Sequence, residues 1–148
     1  MPLWIELTTP KLAAMTRKDL SDSVCTLGGW GYHPGDASSW FRAFFEATRD
    51  ISAFPPIALS NIFNSLAQLK EVPDAVWLDP FWSASKEKLA ELKPQELSNF
   101  IRAAATLGCS PPADWLAQFF DLSKKMLSVF IPQSLSNTIW ALAAESRH

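Results

Sequence analysis

The sequence predicts an all-α protein, a right-handed α-solenoid of helix-turn-helix repeats, and three observations predict it. Leu-Ser-Asn begins at Leu59, Leu97 and Leu135, at two equal intervals of 38 residues. Prolines keep the same interval, at Pro56, Pro94 and Pro132. A tryptophan is followed four and five residues later by aromatic side chains, at Trp77, Phe81 and Trp82 and again at Trp115, Phe119 and Phe120. A helical unit repeated at this period cannot bury its apolar face alone, so it stacks on its neighbours. The 148 residues form one domain: a half unit over 1–15, full units over 16–53, 54–91 and 92–129, and a half unit over 130–148.

Each full unit opens with a helix, here called helix A. Proline suits its first turn because the missing N–H would have no intrahelical partner there. Apolar residues then recur at i, i+4 and i+7, which is one helical face: Leu59, Phe63 and Leu66; Leu97, Ile101 and Ala104; Leu135, Ile139 and Leu142. Leu107-Gly108 closes the middle copy with a good C-terminal signal.

A second helix, helix B, follows a proline-containing loop, "EVPDAVW" at 71–77 or "CSPPADW" at 109–115. Its tryptophan and aromatic residues give a broad apolar face, extended by Leu89 and Leu127. Phe54, Leu92 and Phe130 each lie two residues before the next helix-A proline. Pro80 stands deep in the second B helix, where proline costs about 3 kcal/mol. The expectation is therefore a late start, with Asp79 as N-cap and Pro80 as the first helical residue.

A fainter first unit precedes these. "KDLSDSVCTLGG" at 18–29 matches helix A through Leu20, Val24 and Leu27, at an offset of 39, with Asp22 in place of the asparagine. Trp40, Phe44 and Phe45 make its helix B. "LWIELTTPKLAAM" before it reads as a shortened helix B.

Composition bounds the function. Apolar residues are 48% and charged residues 19%, a globular balance. The net charge of −2 is a poor match to a free-standing nucleic-acid binder, which is strongly basic. No apolar run approaches the ~18 residues that span a membrane. Cys25 and Cys109 make no metal pattern and read as reduced, buried or half-buried thiols. The opening "MPLWIELTTP" resembles neither a transit peptide nor a secretory signal, so it suggests use at the site of synthesis or a mature or partial chain. No nucleophile–base pair, phosphate loop or carboxylate pair stands out, and "HPGD" at 33–36 is turn-forming. The expectation is a non-enzyme without cofactor or metal.

"PQSLSNTIWALA" at 132–143 and "SPPADWL" at 110–116, on a 38-residue period, resemble the octotricopeptide repeat family. "TPKLAAMTRKDLSDSVCTLGGWGYHPG" at 9–35 looks like a degenerate copy, and the resemblance covers nearly the whole chain. It implies an organellar protein, in the mitochondrial matrix or chloroplast stroma with the mitochondrion favoured. It further implies binding of organellar messenger or ribosomal RNA, in some members as a subunit of a mitochondrial ribosome.

RNA readers of this kind need side chains that vary on a repeated scaffold. Helix A offers Ile57, Ile62, Asn64 and Ser65; Gln95, Phe100, Arg102 and Ala103; Gln133, Thr138, Trp140 and Ala141. Asn64, Gln95 and Gln133 suit base edges, Arg102 a phosphate or base, and Trp140 stacking. Asn61, Asn99 and Asn137 recur unchanged. That favours holding adjacent A helices or loops together, with RNA contact as the alternative. Ser60, Ser98 and Ser136 read as close-packing positions, and Trp140 as repeat packing or a stacking platform. Lys124, Lys125 and the stretch 85–93 read as solvated, with phosphate contact by Lys86, Lys88 and Lys93 as the alternative.

Two functions follow. One is binding and stabilising a short single-stranded or ribosomal RNA segment beside neighbouring proteins of a ribonucleoprotein assembly. The other is a protein–protein scaffold in a large organellar assembly without RNA contact. Neither involves a membrane. Three full units address only a few nucleotides, which favours a role inside an assembly.

Overall fold

The computed structural model describes residues 7–30 and 38–126, and every regular element within them is helical. The α-helices are α1 (Arg17–Trp30), α2 (Ser38–Ala47), α3 (Pro56–Leu69), α4 (Ala75–Lys88), α5 (Pro94–Leu107) and α6 (Ala113–Met126). Helices α1, α3 and α5 cover the expected A segments, and α2, α4 and α6 the expected B segments. The turn expected at 33–36 and the last half unit lie outside the described residues.

The A helices begin and end by the same chemistry. Pro56 and Pro94 are the first residues of α3 and α5. The Glu96 carboxylate adds a cap to α5 by accepting from the Lys93 backbone N–H at 3.0 Å. At the other end Lys70 and Gly108 take up left-handed backbone, with φ 57° and 71°. This turns the chain so that Glu71 N–H reaches Leu66 C=O and Cys109 N–H reaches Ala104 C=O, both at 3.0 Å. Glycine adopts this conformation freely. Lysine at the matching position costs about 1 kcal/mol.

The B helices end differently from the expectation. Leu89 does not extend α4; it opens a 3-10 turn, Leu89–Glu91, and is fully buried there. Ile51–Ala53 is the matching turn one unit earlier. Leu12 fills the same role in the longer 3-10 helix Thr9–Ala14, the described part of the expected first half unit. The turns bend the chain so that Phe54 and Leu92 are buried just before the next proline. Each 3-10 segment packs on the B helix that follows it in the chain: Thr9–Ala14 on α2, Ile51–Ala53 on α4, Leu89–Glu91 on α6.

Pro80 corrects a second expectation. Helix α4 begins at Ala75, not Pro80, and Asp74 is its N-cap, accepting from Trp77 N–H at 3.1 Å. The proline therefore lies inside the helix. It leaves the Val76 carbonyl without its usual N–H partner. Val76 is 73% exposed and Pro80 is exposed too, so water reaches that carbonyl. A proline on a wet face costs less than one in the core.

Side by side, α1 packs on α3 and α3 on α5. Small side chains allow it. A Cβ added at Gly28 would come within 3.0 Å of Ser65 Cβ. Ser60 and Ser98 are buried, and Ser60 Oγ donates to Glu96 C=O at 3.4 Å, joining α3 to α5. The A-helix stripes Leu59, Phe63, Leu66 and Leu97, Ile101, Ala104 are all buried.

An aromatic spine joins the levels. Phe63 meets Phe81 at 4.7 Å and Phe100 at 5.3 Å between ring centroids. Phe100 continues to Trp115 at 5.2 Å. Each B tryptophan stacks on the aromatic residue four positions later, Trp40 on Phe44, Trp77 on Phe81 and Trp115 on Phe119, with ring planes within 18°. Such pairs add ~0.5–1.5 kcal/mol each beyond burial.

Candidate nucleic-acid interface

Three positions on each A helix, at i, i+4 and i+7, share a face beside the buried stripe. On α5 they are Gln95, Asn99 and Arg102; on α3 they are Ile57, Asn61 and Asn64. Gln95, Arg102, Ile57 and Asn61 are exposed, and Asn64 and Asn99 are half-buried. Because α3 and α5 lie side by side, the two stripes run along adjacent helices. The Ser60 to Glu96 bond joins the helices one residue from Asn61 and Gln95. Gln133, Asn137 and Trp140 lie outside the described residues.

Neither Asn61 nor Asn99 makes a side-chain hydrogen bond among the described residues; Ser60 makes the inter-helix contact, while Ser98 Oγ donates to Gln95 C=O within its own helix. Ile62, Ser65, Phe100 and Ala103, in contrast, leave the candidate surface. All are buried, Ile62 and Phe100 completely. An A helix flanked by another A helix and backed by aromatic B helices buries a broader arc than one i, i+4, i+7 stripe.

The third stripe, on α1, is Lys18, Asp22 and Cys25, reached by the 39-residue offset. The sequence reading placed Asp22 there but missed Lys18. Lys18 Nζ donates to Asp22 at 2.6 Å, and both side chains are exposed. The hydrogen bond and charge of Asp22 hold the Lys18 ammonium above its ordinary value. A pair locked in this way presents almost no net charge.

Two lysines considered for phosphate contact are engaged elsewhere. Lys86 bonds Asp114 at 3.0 Å, tying α4 to α6. Its hydrogen bond, more than its charge, draws the Asp114 carboxyl below the usual range. Lys88 donates to the carbonyls of Ser52 and Phe54, closing the preceding turn. Both lie on helix B. Lys93, the N-cap of α5, is exposed.

Cys25 is half-buried and Cys109 buried, and neither forms a disulfide. Among the described residues no group of His, Cys, Asp and Glu is gathered to hold a metal. No described helix is long and apolar enough to cross a membrane. Two open grooves run between successive B helices, one lined by Trp82, Lys86, Asp114 and Gln118, the other by Arg42, Phe45, Val76 and Pro80. No protein-family model matches this chain, and no curated protein matches it.

Proposed function

We propose that this chain is a non-catalytic α-solenoid of the octotricopeptide kind that binds a short RNA segment along its A helices, in an organelle and as part of a ribonucleoprotein assembly. One observation carries the reading. Neighbouring A helices present equivalent stripes, Ile57, Asn61, Asn64 beside Gln95, Asn99, Arg102, whose outer positions differ from unit to unit around a constant asparagine, on a scaffold whose buried positions repeat. That is the arrangement by which helical repeats address successive bases. The repeat period and the A-on-A packing support the solenoid arrangement.

The charge pattern shapes the affinity. Lys18 is paired, and Arg102 is the stripe's other cation among the described residues. Few counterions are then released, so binding falls only gently with salt. Base edges and stacking supply most of the energy. The chain binds weakly alone and needs neighbours to hold the RNA, which suits a ribosomal subunit in a mitochondrion.

The test is cross-linking of bound RNA in organelle extract. A discrete ribosomal or messenger segment, joined to peptides of α3 and α5, supports the reading. Arg102→Ala is expected to lose that segment with less effect on melting temperature. Stable co-purifying proteins with no RNA would leave a protein scaffold, the reading that the net charge of −2 favours.

A further inference from the structure

The groove between α2 and α4 and the groove between α4 and α6 occupy equivalent places one repeat apart, and their chemistry differs. At an offset of 38 residues, Phe45, Val76 and Pro80 line the first where Ser83, Asp114 and Gln118 line the second. The repeat thus builds the same surface from apolar side chains in one unit and from polar ones in the next. Folding does not require the apolar set. Val72 and Val76 are 56% and 73% exposed, and Phe45 is half-buried. Pro80 lies inside α4 on an exposed side, against helix preference. Local rules broken without gain to the fold mark functional surfaces.

The helices under the apolar groove are held in register. Trp77 Nε1 donates to Thr48 Oγ1 at 3.0 Å, and Phe45 meets the Trp77 ring edge-on at 5.4 Å between centroids. That hydrogen bond is one rung of an indole–hydroxyl ladder: Trp40 Nε1 donates to Thr8 Oγ1 at 3.3 Å and Trp115 Nε1 to Ser85 Oγ at 3.1 Å. The floor is therefore pre-organised. The charges around it are answered with one exception. Arg49 bonds Glu46 at 2.7 Å, Asp74 caps α4 and Glu71 is engaged. Arg42 is exposed and makes no ion pair among the described residues. An occupant thus meets an apolar floor beside one unanswered positive charge. Both walls are successive B helices within the described residues, so the groove owes nothing to either end of the chain.

We propose that the groove between α2 and α4 docks a short acidic segment of a separate protein, with a large apolar side chain on Phe45, Val72, Val76 and Pro80 and a carboxylate on Arg42. The anchor removes apolar surface from water. The guanidinium, which can donate two parallel N–H bonds to one carboxylate, fixes the orientation. The groove between α4 and α6 turns the same segment away, because it presents Asp79, Glu87 and Asp114. The surface belongs to the B helices, and the proposal does not rest on RNA contact along the A helices.

The probe is a displayed library of random peptides of about twelve residues, panned on the full chain. Enriched peptides should carry tryptophan, phenylalanine or leucine within one helical turn of aspartate or glutamate. The tightest of them, labelled and titrated by fluorescence anisotropy, should bind about tenfold more weakly to Arg42→Glu and to Val76→Asp. Ser83→Ala, in the groove between α4 and α6, should leave the affinity unchanged. Melting guards against misfolding. Val76→Asp puts an acid in the first turn of α4, where the helix N-terminus favours it and where α6 carries Asp114, so the melting temperature should hold or rise. A lowered melting temperature would make Val76 part of the fold and overturn the proposal. So would a library with no enriched peptide, enrichment of basic peptides, or affinity that neither variant changes. Concentration-dependent dimers lost on Val76→Asp would assign the groove to a second copy, and RNA cross-linked to the α2 and α4 peptides would assign it to nucleic acid; either overturns the acidic partner.

Discussion

The indole N–H of Trp77 donates to the hydroxyl of Thr48 at 3.0 Å, and both residues are buried. Thr48 also donates its own proton to Phe44 C=O at 2.8 Å, so one hydroxyl serves two partners. Thr48→Val keeps the shape and strands the indole. It should destabilise the fold by about 1–3 kcal/mol. Trp77→Phe leaves Thr48 bonded to Phe44 but removes part of a ring. A double-mutant cycle in urea should give a coupling of about 1 kcal/mol between the two. Coupling near zero would reduce the ladder to coincident packing.

Pro80 gives the opposite sign. Its ring denies Val76 C=O a helical partner on an exposed face. Pro80→Ala restores the N–H and removes the ring's crowding of the preceding turn. Stability should rise by about 1–3 kcal/mol, against the ~3 kcal/mol of a fully penalised interior proline. Circular dichroism melts of the two proteins measure it, and an unchanged melting temperature would show α4 fully adapted to its proline.

Gly28→Ala should destabilise, although alanine is the better helix former by about 1 kcal/mol. The new Cβ would meet Ser65 Cβ at 3.0 Å and its Cα at 3.1 Å, and backbone does not give way cheaply. The expected net loss is about 1–2 kcal/mol as α1 is pushed from α3. Gly29→Ala, with open space around it, is the matched control and should be neutral or stabilising.

The Lys86 and Asp114 pair makes a pH prediction. Asp114 titrates below the ordinary carboxylate range when folded, because Lys86 donates to it. Its contribution to stability is present above the unfolded aspartate value of about 3.9 and is lost as pH falls through the lower folded value. Both side chains are substantially exposed, so salt weakens the effect. Carbon-detected titration of Asp114 should show its midpoint moving up to the ordinary range in Lys86→Ala.

The all-helical fold was legible because the 38-residue interval repeats three kinds of signal at once: proline starts, apolar stripes and aromatic B faces. Leu59, Phe63 and Leu66 were assigned to the core from spacing alone, and they lie there. Ile62 and Phe100 were misassigned to an outer face because periodicity describes one buried stripe, while an A helix contacts neighbours on more than one side. The start of α4 was misplaced because proline chemistry outweighed Asp74, a good cap six residues earlier. The indole–hydroxyl ladder went unread for a different reason. Its donors are the indoles of Trp40, Trp77 and Trp115 and its acceptors are Thr8, Thr48 and Ser85, small polar residues that a hydropathy pattern passes over. The signal was nonetheless present as Trp-x7-Ser/Thr in Trp40, Trp77 and Trp115. Of the candidate interface, residues 57–64 and 95–102 could be placed on one surface. Which of them are wet depended on packing that no single helix encodes.

The aromatic spine also governs how this protein comes apart. Phe63, Phe81 and Phe100 sit at its middle and touch one another, and Trp115 of α6 meets Phe100 directly, so α3, α4, α5 and α6 are joined by ring contacts in which α1 has no part among the described residues. Transient opening among the described helices therefore starts at α1 and works inward. Amide protons of α3 exchange last with solvent, through a motion that must break the central ring cluster, while those of α1 exchange through smaller excursions. A substitution at Phe63 would do more than lower the total stability. It would divide one cooperative transition into two, because the halves on either side of it would no longer sense each other's state.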